Sequence, residues 1–276
     1  MLTVLQILEI ALPVLYAAVF VIYLRHFVDR AGDEGPLTVG SRVLYGTLGI
    51  HVGYLALRTV HTEHIPVASS AGFLSLVALC IGLVYAFAER KHSDSNTGVF
   101  FLAMVVATQT WSSILTKPTT PPEILEEYAI YGVHVAFTVF GFTALAVSAL
   151  YALMYVLLSR QLKSRNLGVI FRRLPPLTTL ENMGRLATLC GIVLLGVGLG
   201  TGHFLAVYIL DDFEFLDPKI VITYVAWTAY AAGYFVVKLK ALSGIRMAYL
   251  SLIGYLALIG AMVVVNTFLP TFHSFQ

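Results

Sequence analysis

Apolar runs dominate the chain, each close to the ~20 residues that a helix needs to cross a bilayer. They lie at roughly 2–24, 43–60, 71–88, 98–116, 130–158, 184–210, 220–237 and 247–269. Only short polar connections separate them; there is no internal repeat and no linker long enough to suggest a second domain. The pattern predicts an all-α fold, a polytopic bundle of about eight transmembrane helices forming one membrane domain over residues 1–276. The first run starts without a basic leader or an A-x-A site, so it is expected to be a retained helix. Composition agrees with a membrane solvent. Hydrophobic residues make up 58% of the 276, and charged residues only 12%, against about 25% in soluble domains. The mean hydropathy is +0.85.

Charge placement predicts orientation. Of 17 Lys and Arg, only Arg58, Lys117 and Lys219 fall in or beside even-numbered connections. The odd-numbered ones hold the rest, with Arg160, Lys163, Arg165, Arg172, Arg173 and Arg185 in the fifth alone. By the positive-inside rule the odd connections face the cytoplasm and both termini face outward. The outward side is then built from the 61–70, 117–131 and 211–219 loops and the tail ending at Gln276. The basic fifth connection suits anionic headgroups. Its Leu174-Pro175-Pro176-Leu177 stops any helix, and Thr178 or Thr179 is placed to cap a turn before the sixth span. The 117–131 loop is expected to end in a short interfacial helix. A net charge of +2 implies no nucleic-acid partner. Cys80 and Cys190 lie in apolar runs without a C-x-x-C, which suggests neither a redox pair nor zinc.

Eight histidines are the main chemical resource. His26 and His92 sit beside Arg25 and Lys91 and read as solvated; His61 and His64 read as interfacial. His51 lies mid-span, where an imidazole is costly unless bonded or bound. His51, Tyr54, Arg58 and His61 share one helical sector. Two readings stay open there: a site in which Arg58 meets a carboxylate such as a haem propionate, or a buried histidine bonded to a neighbouring helix. His203 is near the outer end of the sixth span, His134 opens the fifth, and His273 follows the eighth. His134 and His273 can share a depth at the outer surface, as bis-histidyl haem iron requires. Five glycines punctuate the sixth span: Gly191, Gly196, Gly198, Gly200 and Gly202. Gly198 and Gly202 have the small-xxx-small spacing of closely packed helices; the other reading is room for a flat cofactor. No nucleotide-binding, nucleophile-elbow or H-E-x-x-H motif is present.

Several segments resemble the haem-handling membrane proteins of cytochrome c assembly, the CcsA/HemX-like group. Leu174-Pro175-Pro176-Leu177, with Leu180-Glu181-Asn182 and then Gly191 to Gly202, resembles the helix that precedes the family's tryptophan-rich loop. Asp217-Pro218-Lys219, followed by Trp227 and Tyr230, resembles the end of that loop and the next helix. Asn266, Leu269, Pro270 and His273-Ser274-Phe275 are similar to the family's C-terminal end. His134-Val135 resembles the partner outer histidine, and His51 with Leu57-Arg58 the second-helix histidine region. The resemblance spans about 45–276. It implies haem held by His134 and His273, with Phe213, Phe215, Asp217 and Trp227 around it and Arg58 as a cationic anchor. The loop departs from the family's W-G-x-x-W-x-W-D-P-K-E: its tryptophans are absent, and Phe213 and Phe215 are the stacking faces left. The family's histidine in the span after the loop corresponds to Phe235. His203, which the resemblance does not supply, is a candidate partner for His51 in a second pair.

The expected function is b-type, bis-histidyl haem binding and presentation at the outer face of a bacterial cytoplasmic (inner) membrane. The protein would be a chaperone or assembly factor rather than an enzyme. Its partners would be membrane lipid, haem and other membrane proteins of cytochrome c assembly or a respiratory complex. The alternative is a cofactor-free accessory or regulatory membrane subunit that keeps the fold.

Overall fold

The computed structural model describes residues 2–29, 38–62, 69–92, 95–116, 129–165, 168–209, 218–239 and 244–268. Among them are helices and no strand. In chain order they are α1 (Leu2–Val28), α2 (Thr38–Thr62), α3 (Ser70–His92), α4 (Gly98–Leu115), α5 (Ala129–Lys163), α6 (Val169–Arg173), α7 (Leu177–Ile209), α8 (Pro218–Leu239) and α9 (Ile245–Phe268). Each expected run is a helix. Seven of these, all but α2 and α6, are long and apolar enough to cross a membrane, which makes this an all-α polytopic membrane protein. The remaining expected span, α2, has 25 residues but a less apolar sequence. Two of its mid-helix polar side chains, Thr47 and His51, are buried. The interfacial helix expected from the 117–131 loop lies outside the described residues, apart from its junction with α5.

Contacts gather the chain into two compact units, residues 1–119 with 167–174 and residues 120–166 with 175–276. In the first unit α1 packs on α2 and α4, α2 on α3, and α3 on α4, closing a four-helix ring. The inner seam of α1 reads Leu5, Glu9, Leu12, Tyr16, Val19, Tyr23 and Phe27, in steps of four and three. All but Glu9 are buried. Such a spacing keeps one stripe of a helix against its neighbours over its whole length. Every second seam position, Glu9, Tyr16 and Tyr23, each seven residues after the last, is polar. The small α6 joins this unit by packing on α1, and Arg173 Nη2 donates to the Asp29 carbonyl at 2.6 Å.

In the second unit α5 and α7 form the most extensive pair, and α9 packs on α5, α7 and α8. Both long helices outrun their apolar segments: α5 continues to Lys163, and α7 starts at Leu177 rather than near 184. Pro175 and Pro176 separate α6 from α7, and Pro176 O accepts the N–H groups of Thr179 and Leu180. Thr178 and Thr179 therefore lie inside the first turn of α7 instead of capping it. Leu180 is buried, which holds this added turn against the bundle. Ser148 and Thr188 hydroxyls meet at 2.6 Å, and Ser251 meets Thr188 at 3.2 Å, joining α5, α7 and α9. Tyr230 donates to the Ser251 carbonyl at 2.7 Å and brings α8 into the same junction.

The turn before α9 is fixed by Gly244, at φ +70°. Its N–H donates to Glu181 Oε1 at 3.0 Å, and a β-carbon there would stand 2.5 Å from the Tyr155 hydroxyl oxygen. A left-handed backbone costs an ordinary L-residue roughly 1–2 kcal/mol. Gly244→Ala is therefore expected to lower the melting temperature in detergent, and Glu181→Gln, which keeps an acceptor, much less. Equal melting curves for wild type and Gly244→Ala would contradict this account of the turn.

Candidate functional site

The end of the second unit where α5 begins and α7 finishes is built from small residues. Along the pair, Tyr151 faces Gly184, Ser148 faces Thr188, Leu145 faces Gly191, Gly141 faces Leu195 and Thr138 faces Gly198. From Ser148 and Thr188 on, each step of three or four along α5 is matched by the same step back along α7, the register of an antiparallel heptad seam. Continued outward, the register puts His134 on Gly202. It then places Tyr131 on Leu205, sealed by Ile130 and Val135. Gly198 and Gly202 thus admit Thr138 and the His134 ring.

His134 Nδ1 lies 2.7 Å from the Gly198 carbonyl oxygen. A carbonyl only accepts, so Nδ1 carries a proton; in the neutral ring the lone pair is then on Nε2. Thr138 Oγ1 donates back to the His134 carbonyl at 2.7 Å and ties the first turns of α5 together. An imidazole with Nδ1–H on a backbone carbonyl is the usual bonding state of a histidine that ligates metal through Nε2. His203 is exposed, one residue beyond Gly202, with its ring edge-on to Tyr224 at 6.3 Å. Tyr224 lies across from Leu199, its hydroxyl 3.5 Å from that carbonyl. Phe204 and Tyr208 are exposed on the same end of α7 and lie against each other, centroids 4.7 Å apart. Trp227 donates Nε1–H to Ile192 O at 2.8 Å and rests its ring on Gly196, so here it is a packing residue between α8 and α7. His273, Phe213, Phe215 and Asp217 lie outside the described residues.

In the first unit His51 is fully buried. Its Nδ1 is 2.8 Å from the Tyr16 hydroxyl and its Nε2 2.9 Å from Ser75 Oγ. Ser75 donates in turn to Gln109 Oε1 at 3.1 Å. A serine hydroxyl has one proton, so with Ser75 donating to Gln109, Nε2 must carry the His51 proton and Tyr16 must donate to Nδ1. The result is one directed chain, Tyr16 to His51 to Ser75 to Gln109, crossing all four helices of the ring. Both ring nitrogens of His51 are thus bonded to neighbouring helices. Ligation of iron by His51 would require one of these bonds to break. The other member of the suggested pair, His203, belongs to the other unit.

Tyr54 and Arg58 share the expected face of α2. Tyr54 donates to Glu9 Oε1 at 3.1 Å, and Arg58 Nη1 donates to the Tyr54 hydroxyl at 3.1 Å. Ser113 fixes the same level by donating to the Glu9 carbonyl at 2.7 Å. A third polar level was not expected from the sequence. Glu89, 4% exposed, accepts from Tyr23 at 2.8 and 3.0 Å and from Tyr85 at 3.1 Å. The signal that could have found these levels is the seven-residue repeat Glu9, Tyr16, Tyr23, which carries one polar group to each. Among the described residues no group of three His, Cys, Asp or Glu could hold a metal ion.

Fold and site together define an integral membrane protein of two helical units, one cross-linked by buried polar chains and one presenting an oriented imidazole at a helix-pair end. The chain belongs to the cytochrome c assembly protein family, whose pattern it matches over residues 65–273. It is 30% identical to "Inner membrane protein YpjD" of Escherichia coli K12 over 152 residues, 55% of this chain and 49% of that protein. It is 23% identical to "Protein HemX" of Brevibacillus brevis over 225 residues, 79% of each. The matched region thus spans about half the length of the E. coli relative.

Proposed function

We propose that the chain is a haem-handling membrane protein that binds haem through His134 and His273 and presents it at the outer face of a bacterial inner membrane. The observation that carries the reading is the His134 Nδ1–Gly198 carbonyl bond, which leaves the ring in the tautomer that axial ligation uses. The donor set suits a b-type, bis-histidyl haem, with Phe213, Phe215 and Asp217 as further contacts, while Trp227 keeps its packing role between α8 and α7. When bound, the iron would supply any redox chemistry. The chain's own residues orient the ligand, with Gly198 holding its proton and Gly202 giving the ring its bed. Membership of the cytochrome c assembly family supports the haem reading, and the distribution of Lys and Arg supports the outward placement. The role is that of a chaperone or assembly factor working with other membrane proteins of cytochrome c assembly or a respiratory complex, within membrane lipid.

A second reading, a cofactor-free accessory or regulatory subunit, is favoured by the absent loop tryptophans and by the saturated hydrogen bonding of His51. Haemin titration of the purified chain separates the two. The first reading expects a Soret band of bis-histidyl type that is lost in His134→Gln and in His273→Ala, while both variants melt near wild type. Glutamine can still donate to Gly198, so His134→Gln removes the ligand and keeps the helix contact. A chain that stays colourless with haemin excludes the first reading.

A further inference from the structure

We infer that Thr201 and Gly202 are positioning residues that set the direction and donor strength of His134. The inference about the ring stands on the apoprotein geometry; only its consequence for iron rests on the haem reading above.

The Gly198 carbonyl takes two side-chain donors, His134 Nδ1–H at 2.7 Å and the Thr201 hydroxyl at 3.0 Å. Thr201 Oγ1 is also 2.9 Å from the Val197 carbonyl. One hydroxyl proton therefore has two acceptors, one turn back along α7. With the proton on Val197 O, the bond from His134 to Gly198 O is strong. With the proton on Gly198 O, that oxygen is shared and its pull on the imidazole N–H weakens. A strong Nδ1–H bond pushes electron density towards Nε2, which makes the ring a better metal donor. Thr201 thus gives the Gly198 carbonyl two settings without moving a helix.

Gly202 sets direction. A β-carbon at this position would stand 2.5 Å from Cε1 and 2.6 Å from Nδ1 of His134, but 3.4 Å from Nε2. The Nδ1–Cε1 edge therefore lies on the α7 backbone, and Nε2 is the ring nitrogen farther from it. An alanine would push that edge off the helix and lengthen the bond to Gly198. Gly200, two residues away, has no atom within 4 Å of such a β-carbon and serves as the control.

The test needs no haem. The whole chain, with 15N-labelled histidine, is examined in detergent by magnetic resonance, and the His134 signals are identified by their absence in His134→Gln. Wild type is expected to show a neutral ring protonated at Nδ1. Thr201→Val is expected to move that proton signal downfield, and Thr201→Ser to restore it. Gly202→Ala is expected to bring in the Nε2–H tautomer, and Gly200→Ala to change nothing. A wild-type ring protonated at Nε2, or signals unmoved in both Thr201→Val and Gly202→Ala, overturns the inference. Failure of haem to bind leaves this result standing, and haem binding through His134 without these shifts defeats the positioning roles alone.

Discussion

Replacing Gly141 by leucine is expected to abolish the pairing of α5 with α7, whereas the same change at Gly200 leaves the protein folded. A β-carbon on Gly141 would stand 2.7 Å from the Leu195 backbone nitrogen and 2.9 Å from its α-carbon. Backbone atoms in the middle of a helix cannot turn aside as a side chain does, so the helices must part. Overpacking a close-packed interior costs about 1–3 kcal/mol even where side chains yield; with backbone as the obstacle the loss exceeds that range. Parting the pair also breaks the Ser148–Thr188–Ser251 junction and the bed of His134. Around Gly200 no atom lies within 4 Å of the new carbon, and losing a glycine from a helix is worth up to ~1 kcal/mol in its favour. Size-exclusion profiles and melting curves in detergent check both. A well-folded Gly141→Leu would mean that α5 and α7 are not in this register.

The second large effect is at His51. Changing it to leucine keeps the volume close and removes both hydrogen bonds at the centre of the first unit. Tyr16 loses its acceptor and Ser75 its donor, in a place without water to replace them. Hydrogen bonds between membrane helices average about 0.6 kcal/mol, up to about 1.7, so the two together cost roughly 1–3 kcal/mol. Tyr16→Phe strands only Nδ1 and is expected to cost less. Under the proposed function the haemin titration of His51→Leu resembles wild type once the protein is folded, because His51 is not one of the two proposed ligands. A folded His51→Leu that loses its Soret band would instead return His51 to the ligand set.

The eight apolar runs were legible because a bilayer imposes both length and hydropathy on what crosses it, and each run is a helix. The ends of α5 and α7 were less so, since Ser159 to Lys163 and Leu177 to Met183 are helical by tertiary packing and local bonds rather than by apolar content. Tyr54 and Arg58 share the α2 face their spacing indicated. Glu89 escaped notice because it sits one residue past an apolar run and beside Arg90 and Lys91, where an acidic residue reads as solvated. Its burial depends on Tyr23, 66 positions away. The tautomer of His134 depends on a backbone carbonyl of another helix, about which residue type says nothing. The same holds for Trp227, which the resemblance places around haem and which in the fold donates across helices to Ile192 O.

The 35 residues of α5 and the 33 of α7 make rods of about 50 Å at 1.5 Å per residue, against an oily layer of about 30 Å. Each rod is thus roughly 20 Å longer than that layer, and the turns beyond its apolar run, 159–163 on α5 and 177–183 on α7, lie at the end that carries Arg160, Lys163 and Arg185. Gly184, Gly191 and Gly198 lock the two rods into one close-packed pair. The His134 ring, at the other end of the pair, is therefore held by close contacts along the whole seam rather than by its own turn alone.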